Sequence, residues 1–434
     1  RNTLVGGLAG DSLTTGAYNT ALGMFALSTE DAHGYNTAIG YGTLEQQNAG
    51  ADAYNTALGY TAGNAISTGV RNVLLGANAG DALTTGSYNV AIGYDALSTE
   101  DGDGRNVAVG YQALLNQNAG QAAYNIAIGF YAGQNVTEGV RNVIIGGNAG
   151  DAITTGANNT AIGHEALGGE DTGSKNTAVG AYALQDANYD GDGHNTAVGY
   201  VAGAEITTAR YNTILGSLAG DALTTGAENV AIGYGALGQE DGHGKNVAVG
   251  MEALTAQNAG SDAANTALGY NAGKAVTSGI RNTIVGSWAG DSLTTGQYNV
   301  AIGANALSTE DAHGKNVAVG SNALEVLNAG ADAYNVAVGH QAGTAVTTGT
   351  YNNIIGGLAG DALTTGGFNI AMGYAALGTE DTGSRNVAIG HSALTALNYD
   401  GAGYNIAIGY DAGKAVSTGI NNVLVGGQAG DSLT

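Results

Sequence analysis

The chain has 434 residues with 76 Gly, no Pro and no Cys, roughly two and a half times the usual share of Gly, yet 44% of it is hydrophobic and 23 residues are Tyr. Collagen is excluded, since it needs Gly at every third position together with Pro, and disorder is excluded because a disordered chain has few aliphatic and aromatic residues. Twelve basic against 36 acidic residues leave a net charge of −24, which argues against nucleic acid and against anionic lipid surfaces as partners.

From the N-terminus the first predicted element is a five-residue figure, Asn-x-x-apolar-Gly, and it then recurs along the whole chain. Its Asn stands at Asn2, Asn19, Asn36, Asn55, Asn72, Asn89 and Asn106 and continues to Asn422, 25 times in all. The step from one anchor to the next follows a fixed cycle of four, in which the third step (Asn36 to Asn55, Asn106 to Asn125) is longer by two positions. Gly follows four places after every one of these anchors, as at Gly23, Gly40, Gly59, Gly76, Gly93 and Gly110. Ala stands seven places after 24 of the 25, Thr43 being the exception, so the spacing is a structural requirement and not a drift of composition. Four steps make one super-repeat, with copies at 2–71, 72–141, 142–211, 212–281, 282–351 and 352–421 and a partial one at 422–434. The expected organisation is one continuous repeat domain over 1–434, cut at both ends from a longer chain, because "GDSLT" stops in mid-phrase.

Each super-repeat has four rungs. The first, as in "RNVLLGANAGDALTTG", has a large residue two after its anchor (Leu74, Ile144, Ile214), where the other three rungs almost always have Ala. The second carries a Glu-Asp turn, the third holds the two extra residues, and the fourth returns to Arg or its substitute. A period this short, half that of the common helix-pair repeats, fits one coil of a β-solenoid. "NTAIG" and "NVAVG" are β-branched, bounded by Gly and without helical periodicity, which predicts all-β structure with a short strand after each anchor. The Leu-Thr-Thr and Val-Thr stretches are expected to add a second short strand. Coils stacked about 4.8 Å apart predict a rod roughly 120 Å long.

Stacking also predicts what the anchors do. Asn at one corner of every coil would form an amide ladder, Gly four later would allow positive φ and close backbone approach, and Ala would sit where nothing larger fits. In "NVAIG" all three middle residues are apolar, so both strand faces look buried, and the small Ala is expected to meet another copy at close range. Three copies around an axis is the simplest arrangement, and a single-chain solenoid is the alternative.

"NTAIG", "NVAVGYQAL" and "NTALGYTAG" resemble the head repeats of trimeric autotransporter adhesins, and similar phrases occur in bacteriophage tail-fibre proteins. The resemblance covers the whole chain at the level of the phrase. It implies a left-handed β-roll, three chains side by side, and exposure outside the cell. The coils of this chain are longer than the family's, which implies longer outward turns. No anchor barrel, coiled-coil stalk or self-cleaving chaperone domain lies within the 434 residues to separate adhesin from tail fibre.

Candidate chemistry is sparse. The Glu-Asp pairs (Glu30/Asp31, Glu100/Asp101, Glu170/Asp171, Glu240/Asp241, Glu310/Asp311, Glu380/Asp381) recur once per super-repeat, and repeated identical catalytic sites make poor sense. Solvated turns are expected, with Ca²⁺ sites the alternative. The Asp after each first-rung "AG" (Asp11, Asp81, Asp151, Asp221, Asp291, Asp361, Asp431) is the remaining Ca²⁺ candidate, with capping of backbone N–H groups its expected role. "YDGDGHN" (189–195) resembles the start of a Ca²⁺ loop but lacks the later Glu. Arg105, Lys175, Lys245, Lys315 and Arg385 stand four or five residues after a Glu-Asp pair and are expected to pair across that loop. His33, His243 and His313 share a slot that Asp103 and Gly173 also occupy, which marks surface and not a metal set. Tyr forms one column just before the anchors and another five residues after them, suited either to packing or to a glycan.

The expected object is a non-enzymatic fibre or shaft of an extracellular appendage or surface adhesin, homotrimeric, with a tail-fibre shaft as its alternative. A Ca²⁺-stiffened, glycan-binding or ice-binding adhesin segment is the second alternative. Partners are other copies of the chain and a host-surface or glycan receptor, with no nucleic acid, no membrane insertion in this segment, no catalytic residues and no cofactor besides Ca²⁺.

Overall fold

The computed structural model describes residues 1–102 and 104–434. It divides into two units, Arg1–Leu215 and Gly216–Thr434, each a β-solenoid with one anchor Asn and one strand per turn. Every strand is three residues long and begins just after an anchor Asn. In the first unit strands run from β1 (Thr3–Val5) and β2 (Thr20–Leu22) to β13 (Thr213–Leu215), and in the second from β14 (Val230–Ile232) to β25 (Val423–Val425). Among the described residues there is no helix.

Within each unit, neighbouring strands pair in parallel at matching repeat positions. Thr20, Ala21 and Leu22 lie beside Thr37, Ala38 and Ile39, which lie in turn beside Thr56, Ala57 and Leu58. The second of these steps is the longer kind, and the register is kept across its two extra residues. The expected second strand does not form. The Leu-Thr-Thr segments are bends that still bond between coils, as where Thr14 N–H donates to Asp31 O at 2.7 Å. Isolated bridges occur only at Ser174–Asp192 and Ser384–Ala402 among the described residues.

The core is a narrow stack of columns inside each coil. In the super-repeat at 72–141 it comprises Leu74 and Leu83, then Ala91 with Leu97, then Ala108 with Leu114 and Gln117, then Ala127 with Val136, all buried. Size is exchanged between positions. Where the residue two after the anchor is large, the residue eight after it is Gly: a Cβ on Gly80 would press on Leu74 and Leu83. In the second and third rungs, where the former is Ala, Leu97 or Leu114 fills the space, although each must then hold positive φ. The fourth rung has both Ala127 and Gly133 and is filled by Ile144 and Leu114 of the coils beside it. Full burial of a Leu side chain stabilises by about 1.5–3 kcal/mol, enough to offset the roughly 1–2 kcal/mol of a left-handed backbone.

The strand Ala residues also settle which face is interior. Ala21, Ala38 and Ala57 point into their own coil and are completely buried by the chain itself. The expectation that the Ala face meets another copy is therefore corrected. With a side-chain period of two, the flanking residues point outward, and Leu58, Ile126 and Ile128 remain 48%, 37% and 39% exposed.

Candidate functional site

The anchor Asn residues form a continuous hydrogen-bond column within each unit. Asn55 Oδ1 accepts the Asn72 N–H at 2.8 Å, and Asn72 Oδ1 accepts the Asn89 N–H at 2.8 Å. The preceding steps, from Asn19 to Asn36 and from Asn36 to Asn55, are 3.0 and 3.2 Å, and Asn89 to Asn106 is 3.0 Å. In the first, second and fourth rungs the other end of the amide reaches across the coil, as where Asn72 Nδ2 donates to Gly86 O at 2.9 Å, so that both ends of Asn72 meet backbone. The third-rung anchors differ, and Asn36, Asn106 and Asn246 keep a buried Nδ2 without a hydrogen-bond partner. The Gly four later belongs to the same stacking. Gly93 holds φ 139°, and a Cβ there would overlap the carbonyl of Gly110 in the next coil.

Eleven residues after the anchors the interior position is apolar in the first and fourth rungs, as at Leu83 and Val136, and carries polar groups in the second and third. Gln117 Oε1 accepts Asn125 Nδ2 at 2.5 Å while its own Nε2 donates to Thr137 O at 2.9 Å. In the third super-repeat Ala187 stands where Gln117 does, and Tyr189 folds inward to replace it, its hydroxyl donating to Asn176 Oδ1 and accepting from Asn195 Nδ2 at 3.2 Å. Spacing alone gave no sign of this buried Tyr, because the loss of one Gln and the gain of one Tyr lie two residues apart.

The same position contains the Glu of each Glu-Asp pair. Glu30, Glu100, Glu170, Glu240, Glu310 and Glu380 are all completely buried, so the expected solvated turn is confined to its Asp. Each Glu projects inward, and the described caps close their own turns: Glu170 Oε1 accepts the Gly173 N–H at 2.6 Å, and Glu30 Oε1 accepts the His33 N–H at 3.0 Å. Desolvation pushes the Glu170 and Glu240 carboxyls up to about 7, against the pull of the capping N–H groups, and raises Glu30, Glu310 and Glu380 as well.

The first-rung Asp residues are placed differently. Asp81, Asp151, Asp291 and Asp361 are half-buried, and desolvation raises all four although each carboxylate draws on its own N–H. Asp11 is exposed, and Asp221 borders an open depression of about 240 Å³ with Tyr234 and Glu252. Asp151 lines another of about 250 Å³ with Glu165 and Asn148. Among the described residues, three ligating side chains converge only at Glu30/Asp31/His33, Glu240/Asp241/His243 and Glu310/Asp311/His313, none of which includes a first-rung Asp.

The outer surface carries two aromatic columns. Tyr18, Tyr35 and Tyr54 stack at 4.9 Å between ring centroids, and Tyr94, Tyr111 and Phe130 stack at 5.4 and 5.3 Å. Cations interleave with the first column: Arg105 lies 5.6 Å from the Tyr88 ring and 5.5 Å from the Tyr124 ring. The lysines do not pair with the Glu-Asp turn of their own loop. Lys175 and Lys315 reach Asp192 and Asp332 at 2.6 Å, and Lys245 pairs with Asp262. Each partner lies one coil further on, because stacking brings the equivalent point of the next coil closer than the turn just left. No family model matches the chain, and no curated protein matches it.

Proposed function

We propose that this chain is a structural segment of an extracellular fibre, a shaft or adhesin head, in which three copies pack through the outward face of their strands. The reading rests above all on that face. The positions on either side of each inward Ala form columns of Val, Thr, Ile and Leu along both units, and they stay part-exposed in the single chain. Monomeric proteins rarely leave contiguous apolar surface of that extent uncovered. The repeat itself argues against a catalytic role: recurring coils repeat the same shallow surface, and the depressions beside Asp151 and beside Trp288 are open and polar. Among the described residues no helix is long and apolar enough to cross a membrane. A solenoid that lengthens by adding coils suits spacing and presentation, since each coil is stabilised mainly by its neighbours.

The test is the mass of the chain in solution by light scattering. A mass near three times 42.7 kDa is expected, unchanged by a chelator, and a monomer at micromolar concentration overturns the assembly.

A further inference from the structure

Three of the Glu-Asp turns add a His side chain to the capping Glu and its Asp. In each of Glu30/Asp31/His33, Glu240/Asp241/His243 and Glu310/Asp311/His313, two carboxylate oxygens and an imidazole nitrogen lie within 4.8 Å of one another. The Glu is completely buried and its Oε2 has no hydrogen-bond partner in any of the three, as is also so for Glu170, whose turn has no His. The Nδ1 atoms of His33, His243 and His313 are also buried and without a partner. Two unsatisfied polar atoms in one turn, repeated three times, would be a recurrent cost if nothing occupied the space between them.

Distance indicates what fits there. Nδ1 stands 3.5, 3.6 and 3.5 Å from Glu Oε1, the oxygen that also accepts the His N–H, at or beyond the limit of a hydrogen bond. Two donors on one tetrahedral zinc, with Zn–N and Zn–O near 2.0–2.2 Å, stand about 3.4 Å apart. We propose that these three turns each bind a divalent transition cation of the zinc class, through a Glu carboxylate oxygen, an Asp carboxylate oxygen and His Nδ1. The nitrogen donor disfavours Ca²⁺ and Mg²⁺, which prefer oxygen ligands throughout, and a mixed nitrogen–oxygen set suits Zn²⁺ and its neighbours. Water would complete the fourth position.

The solenoid holds the ligands in place before any ion arrives. Glu30 is fixed by the His33 N–H, and the His33 carbonyl accepts Asn19 Nδ2 at 3.0 Å. The Asp31 carbonyl accepts both the Thr14 N–H at 2.7 Å and the Thr14 hydroxyl at 3.0 Å. The turns at Glu170 and Glu380 supply a control within the same molecule. Each keeps Glu and Asp but has Gly173 or Gly383 in the His slot, with the Gly N–H capping Glu at 2.6 Å. They lack the nitrogen donor, and they show that Gly is accommodated there without loss of the turn.

The experiment is calorimetric titration of the full chain with ZnCl₂ at neutral pH in a non-chelating buffer. It is run beside the triple variant His33→Gly/His243→Gly/His313→Gly and a second variant with Asn at the same three positions. Three equivalents are expected in the parent and none of that class in either variant, with Co²⁺ giving the visible absorption of nitrogen–oxygen coordination in the parent alone. No binding by the parent overturns the proposal, as does binding that survives both substitutions, which would assign the ions to surface carboxylates. Because the parent stoichiometry of three is itself diagnostic, a variant that fails to fold does not protect the proposal.

Discussion

A buried Asn that bonds backbone at both ends has no spare valence, and its loss is felt in two coils at once. Asn142 Oδ1 accepts the Asn159 N–H at 2.9 Å and its Nδ2 donates to Gly156 O at 2.8 Å. Asn142→Ala strands both groups in a dry interior, at about 1–3 kcal/mol each. The expected result is a lower unfolding midpoint in denaturant and a local rise in amide exchange at Asn159, while exchange several coils away is unchanged. The buried Glu residues act in the opposite sense. Glu170 has a folded-state value of about 7 against an ordinary 4.5, so its contribution is fully present below about 4.5 and is lost as the pH rises through 7. Glu170→Gln keeps the acceptor for Gly173 and removes the buried charge. It should raise the thermal midpoint by a few degrees at pH above 7 and lose that advantage as the pH falls toward 4.5. A gain that is constant with pH would show that ionisation is not the cause.

At the scale of the coil, two glycines with positive φ separate backbone strain from stacking. Gly93 has φ 139° and no room for a Cβ against Gly110, whereas Gly120 has φ 66° and nothing within 4 Å. Gly120→Ala should cost only the left-handed penalty of about 1–2 kcal/mol. Gly93→Ala should cost more than that, since the next coil must move away and the parallel pairing of Val90–Ile92 with Val107–Val109 is broken. Comparing their denaturation midpoints checks this, and equal losses would mean that contact between coils is not what the repeated spacing protects. The many left-handed Leu residues, Leu97 and Leu114 among them, follow the same logic in reverse: they hold an unfavourable backbone because their side chains fill the interior beside Ala.

For the whole molecule the outer strand face and the acidic surface set the expected behaviour. Ile126 and Ile128 are outward neighbours of the buried Ala127, so charging them leaves the coil interior untouched. Under the proposed three-copy assembly, the double variant Ile126→Glu/Ile128→Glu should retain its far-ultraviolet spectrum while its mass in solution falls toward that of one chain. A mass equal to that of the unsubstituted chain would exclude this strip of face from the proposed interface. The exposed pairs of Lys175 with Asp192 and Lys315 with Asp332 should matter little, at most about 1 kcal/mol each and less in salt.

The coil, its period and its anchors were legible in the chain alone, because 25 copies of one phrase act as an alignment of the molecule against itself. A short repeat with β-branched residues between Asn and Gly leaves few options other than stacked parallel strands, while the column of Asn55 and Asn72 runs from side-chain oxygen to the next backbone N–H and not from amide to amide as expected. What the phrase could not convey was direction, inward or outward. Ala and Ile are both apolar, so only the closed coil shows that Ala57 is interior and Leu58 is not. Glu30 and Asp31 are both acidic, yet a bend of the backbone sends one to the core and the other to the surface. Lys175 finds Asp192 and His33 finds Glu30 through proximity that depends on how coils stack and turns close, a property of the assembled backbone and not of residue type.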